Sequence, residues 1–168
     1  MGDVLSFPDT VNDKAVRVVA VGVLLIALVA LISSAHWLLV VLFAGFVARV
    51  AAGPSLSPLA LLATKVVAPR LGPPKVVSGP PKRFAQAMGA AMTGAGAVLA
   101  LGFGLEGAGD VFLVAIIVAA GLEASFAFCV GCKVFGLLMR AGLVPEGVCA
   151  ECADIRSRPG VARPPAPG

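Results

Sequence analysis

Apolar residues run almost unbroken over four stretches of this chain, and charged residues stand mainly at their edges. The first run extends from Ala15 to Ile32, long enough as a helix to cross a bilayer. Ser33 to His36 makes a tight turn, and Trp37, placed as an interfacial aromatic, opens a second run ending at Ala52. A third covers Phe84 to about Leu105, and Glu106 to Asp110 reads as a short acidic turn. The fourth starts at Val111 and stays helix-compatible to Leu143, longer than a bilayer requires, so its last turns should emerge from lipid. The pattern predicts an all-α integral membrane protein with four transmembrane helices. Residues 1–14 form an N-terminal arm, 15–143 the helical domain and 144–168 a tail.

The first run has a rival reading as a signal peptide, because Ser33-Ser34-Ala35 offers a small-residue cleavage site. Asp3, Asp9 and Asp13 argue against it, since the leader of a signal peptide is positive. Between the second and third runs, Pro54, Pro58, Pro69, Pro73, Pro74, Pro80 and Pro81 rule out a continuous helix. Leu59 to Val67 is long enough for two or three turns, with Leu59, Leu62, Ala63 and Val66 on one face. An interfacial helix and a Pro-rich linker both fit it. In the third run Gly89, Thr93 and Ala97 recur at four-residue spacing, as do Ala90 and Gly94, which predicts a helix central in the bundle.

Composition strengthens the membrane reading. Of 168 residues 59% are hydrophobic and 13% charged, against about a quarter charged in a soluble domain. So short a chain cannot hide that much apolar surface from water. The net charge of +4 does not point to nucleic acid, because the basic residues flank apolar runs instead of forming a patch with aromatics. All thirteen Lys and Arg fall in the N-terminal flank, the second-to-third connection with its flanks, or the C-terminal side. The two outer turns carry none, so the positive-inside bias predicts that both termini are cytoplasmic.

All four cysteines lie in two pairs, Cys129-Val-Gly-Cys132 and Cys149-Ala-Glu-Cys152, separated by sixteen residues. On the cytoplasmic side a permanent disulfide is disfavoured, which leaves metal binding or transient redox chemistry. The spacing fits a four-cysteine zinc site, with Cys129, Cys132, Cys149 and Cys152 as ligands. It equally fits a relay in which a pair on the tail exchanges with a pair at the membrane edge. Gly131 is a point where the helix can break and start again, leaving Cys132 near a new helix start beside Lys133. Cysteines packed merely as small hydrophobes are the third reading.

Glu123 lies inside the fourth run, where a lone charge is costly. On a straight helix it points away from both thiols, so its expected role is structural. Arg49 and Glu123 each stand twelve positions below the outer start of their runs, about 18 Å deep, which predicts a buried ion pair. Arg17 is the second-choice partner, and Thr93 lies deep enough to donate to the carboxylate.

Several segments resemble the bacterial membrane family catalogued as domain of unknown function 4395. They are Val16-Arg17, Ser57-Pro58-Leu59-Ala60, Pro80-Pro81-Lys82-Arg83-Phe84-Ala85-Gln86 and Phe128-Cys129-Val130-Gly131-Cys132. The resemblance implies a multi-pass protein of the bacterial plasma membrane, with a soluble thioredoxin-like or sulfurtransferase partner, but it supplies no mechanism. The expected function is a membrane-anchored thiol–disulfide or sulfur-handling redox component. The alternatives are a structural zinc protein and an accessory subunit of a larger membrane complex. The sequence names no cofactor beyond zinc as the metal alternative, and it leaves open whether the protein is an enzyme.

Overall fold

A computed structural model describes residues 10–143 except Pro74, with Thr10 and Pro54 described in backbone only. Apart from one ribbon and short connecting turns the described chain is helical. The ribbon pairs β1 (Thr10–Asn12) with β2 (Val76–Ser78) in antiparallel fashion, Val11 opposite Val77. Each strand runs straight into a helix: α1 (Asp13–Ile32) after β1, and α4 (Gly79–Ala97) after β2. The Asn12 side chain caps α1 by accepting from the Lys14 amide at 3.1 Å, and the Asp13 amide donates to the Lys75 carbonyl at 2.8 Å. The ribbon therefore holds the starts of α1 and α4 side by side.

Among the described residues three helical stretches are long and apolar enough to cross a membrane: α1, Gly79–Gly102 and α5 (Glu106–Phe126). The second of these is α4 extended by a π turn over Val98–Gly102. A fourth apolar helix, α2 (Leu38–Ala52), has only 15 residues. Leu25, Val29, Val41, Val114 and Val118 stay exposed on the bundle's outside, as a lipid-facing surface would require. Inside, α1 packs along α5 and α2 along α4, while α4 also touches α5 and α6 (Val130–Arg140). Leu39, Leu113, Ala27 and Ala63 are fully enclosed in the core.

The small residues of α4 put it at the centre, as expected. A Cβ at Gly89 would lie 2.5 Å from the Phe46 ring, so only glycine permits this approach to α2. Thr93 donates to the carbonyls of Gly89 (2.7 Å) and Ala90 (3.3 Å) within α4, not to Glu123 as expected. The helix also starts earlier than Phe84. Pro80 and Pro81 occupy its first turn, where a missing amide costs nothing.

Other boundaries also differ. The expected acidic turn Glu106–Asp110 is the first turn of α5. The segment after α2 is a chain of short turns: a 3₁₀ turn Gly53–Ser55, α3 (Pro58–Leu62), a π turn Ala63–Val67 and a 3₁₀ turn Ala68–Leu71. It packs against α1, with Leu59 over Gly22 and the Lys14 ammonium donating to the Leu71 carbonyl at 2.6 Å. Its buried face is Ala60, Ala63 and Ala68, whereas Leu62 and Val66 face outward. Alanines let the backbones approach, so close packing overrode the larger hydrophobic face.

The largest departure is in the fourth run. The helix expected to continue to Leu143 ends at Phe126, because Ala127 takes a left-handed conformation (φ 53°). The Ala127 amide donates to the Glu123 carbonyl at 3.0 Å and the Phe128 amide to that of Leu122 at 3.2 Å. Arg17 covers the next carbonyls, donating to Ala124 at 3.1 and 2.9 Å and to Ser125 at 3.2 Å. A cation at a helix C-terminus complements its dipole, and this work, not Glu123, occupies Arg17.

Candidate functional site

After the break, α6 turns back onto the start of α4. Phe84, Phe135 and Met139 form a small apolar cluster there, with the two rings 5.5 Å apart between centroids. A Cβ at Gly131 would lie 2.5 Å from Ala85 Cβ and 2.6 Å from its Cα, so glycine inside the Cys-Val-Gly-Cys stretch is what lets α6 seat on α4. The helix break falls before this glycine, not at it. Cys129 is consequently the N-cap of α6, and its Sγ accepts from the Cys132 amide at 3.3 Å. Both sulfurs therefore sit at the positive end of a helix dipole, where a thiolate is favoured.

The charged residues beside them are not paired as the sequence predicts. Glu123 Oε1 accepts from Lys82 Nζ at 2.5 Å, and Asp13 lies 3.8 Å from the same ammonium. All three side chains are buried. Arg49 instead donates from Nε to Gln86 at 2.7 Å and from Nη1 to Ser57 at 3.3 Å, and stacks 4.6 Å from the Phe46 centroid. The physical reason is which helix ends meet. Arg49 and Glu123 both stand in the last turns of their helices, but the ribbon holds the first turn of α4, with Lys82, beside Asp13 and the end of α5, whereas Arg49 meets Gln86 and Ser57.

Cys129 and Cys132 are free thiols, both half-buried. The hydrogen bond between them lowers Cys132 below the usual thiol range and raises Cys129. Burial raises both; Lys82 favours the charge and Glu123 opposes it. Glu123, expected to be remote from the thiols, thus acts on them electrostatically. Cys149 and Cys152 lie outside the described residues. Among the described residues no three His, Cys, Asp or Glu side chains are grouped to hold a metal ion.

A cavity of about 510 Å³ opens between the α1–α5 and α2–α4 pairs. Its walls are apolar, formed by residues such as Val19, Val23, Met92 and Ile116. Its polar lining residues are Arg49, Lys82, Gln86, Glu123 and Cys129. Lys82 and Gln86 are functional candidates that sequence reasoning missed, since Lys82 served only as an orientation signal. A usable signal existed: Lys82, Ala85, Gln86 and Gly89 follow the spacing of one helical face, and all four line the cavity.

A family model described as Domain of unknown function (DUF4395) matches residues 11–140. The chain belongs to this family. Neither a curated protein nor a solved structure matches it. The match to DUF4395 takes in Asp13, Lys82, Glu123, Cys129 and Cys132, and it ends before Cys149.

Proposed function

We propose that this DUF4395 member is a membrane-anchored thiol–disulfide or sulfur-handling redox component of the bacterial plasma membrane. In this reading four spans cross the bilayer, with α2 as the short one, and both termini are cytoplasmic. Cys129 and Cys132 sit at the cytoplasmic edge and exchange with Cys149 and Cys152, which a soluble thioredoxin-like or sulfurtransferase protein reloads. The observation that carries it is the N-cap position of Cys129, with its sulfur bonded to the Cys132 amide and the Lys82 ammonium acting on both thiols. A helix start and a nearby cation are the features that activate a Cys-x-x-Cys thiol.

Thiol counting and metal analysis on anaerobically purified protein test the proposal. The expected result is two reversibly formed disulfides, with Cys149→Ser altering the alkylation rate of Cys132. One zinc per chain with four protected thiols would assign the cysteines to a structural metal site instead. Four thiols that never oxidise, with Cys132 indifferent to Cys149→Ser, would remove the redox role altogether.

A further inference from the structure

The cavity has three features that the thiol chemistry alone does not require. Its volume, about 510 Å³, suits a small ligand's ring and the first part of a tail. It reaches the outside of the bundle, because Val118 both lines it and is 56% exposed. On the membrane reading that opening faces lipid, so a ligand could enter from the bilayer. Its polar groups comprise two buried cations, an amide, a carboxylate and the sulfur-bearing Cys129, and they sit where α2, α4, α5 and α6 meet. A ligand matching this lining is apolar over most of its length, with oxygen acceptors at one end.

We propose that the cavity binds a lipid-soluble quinone, with a ring carbonyl directed to the Arg49–Gln86 and Lys82–Glu123 end, where it accepts the electrons of Cys129 and Cys132. The inference rests on the thiol reading above and names its electron acceptor. The step balances as a two-electron, two-proton exchange. The two S–H bonds break and one S–S bond forms. The two electrons reduce the quinone, and the two protons end on its two oxygens as the quinol hydroxyls. Arg49 and Lys82, both buried, stabilise the negative charge that develops on the near oxygen. Glu123, bonded to Lys82, is the group placed to carry a proton to it.

The test uses the full-length protein in detergent, reduced, freed of reductant under anaerobic conditions and given decylubiquinone. Quinol is followed by ultraviolet absorbance and the disulfide located by peptide mass mapping. One quinol should appear per Cys129–Cys132 disulfide, at a rate that saturates with quinone. Ala119→Phe fills the cavity and should slow this oxidation at least about tenfold, the effect of losing about 1.4 kcal/mol of binding, while oxidised glutathione still oxidises the pair. Ala115→Phe, on the same wall, serves if the first variant does not fold. Cys132→Ser should still bind decylubiquinone but yield no disulfide-linked quinol. If oxidised glutathione forms the disulfide and decylubiquinone does not, or if neither filled variant slows quinol formation, the quinone site is wrong and the thiol reading stands. If neither oxidant forms the disulfide, the thiol reading itself fails.

Discussion

Lys82 is the residue on which the charged end of the bundle depends. It neutralises Glu123 at 2.5 Å, lies 3.8 Å from Asp13 and acts on both thiols. Removing one partner of a buried pair strands the other, which typically costs about 3–5 kcal/mol. Lys82→Met strands two acids and Glu123→Gln strands none fully, since Asp13 still faces the ammonium. Thermal unfolding in detergent should therefore rank Lys82→Met as the more damaging change. The double variant should recover part of its loss, with a coupling energy of about 1–3 kcal/mol. Combining Arg49→Gln with Glu123→Gln should give losses that add nearly independently. Coupling between Arg49 and Glu123 larger than that between Lys82 and Glu123 would overturn the pairing.

At the scale of elements, the join between α5 and α6 decides where the cysteines sit. The left-handed Ala127 costs about 1–2 kcal/mol relative to an ordinary conformation, because its Cβ crowds the following carbonyl. It persists because the Glu123 and Leu122 carbonyls and Arg17 all satisfy the chain end in that conformation. Ala127→Gly removes the steric penalty and should raise stability in detergent by about 1 kcal/mol, leaving thiol reactivity unchanged. A destabilised glycine variant would mean that the helix runs on through Ala127. The break was illegible in sequence for the same reason that it is strained. Apolar residues continue on both sides, and neither glycine nor proline marks the turn.

At the scale of the whole molecule, orientation is the property that gives the thiols their compartment. Ser33 and Glu106 are exposed at the end of the bundle opposite the ribbon, and Lys75 is exposed beside the ribbon. In a cysteine-free background, single cysteines replacing Ser33 or Glu106 should react with an impermeant maleimide added outside intact cells. A cysteine replacing Lys75 should react only after permeabilisation. The reverse pattern would turn the bundle over and expose Cys129 and Cys132 to an oxidising compartment, where a permanent disulfide becomes the expected state.

The sequence by itself determined the solvent, the helical class, the family and the first three apolar runs to within a few residues. These depend on local composition: a chain of 59% hydrophobic residues has few ways to bury them, and helix length follows from the rise per residue. It also marked α4 as central, because small residues at four-residue spacing record how closely neighbours approach. It could not decide who meets whom. Periodicity gives the face of a helix and the depth of a residue along it, but many residues share a depth. Arg49 and Lys82 were both available to Glu123 until two facts of the fold chose between them. The β1–β2 ribbon brought the start of α4 to the start of α1, and α5, starting at Glu106 instead of Val111, carries Glu123 five residues deeper than the sequence reading places it. The turn at Ala127 made Cys129 a helix cap and opened it to the cavity. Those contacts join residues forty and more positions apart, and only the folded chain contains them.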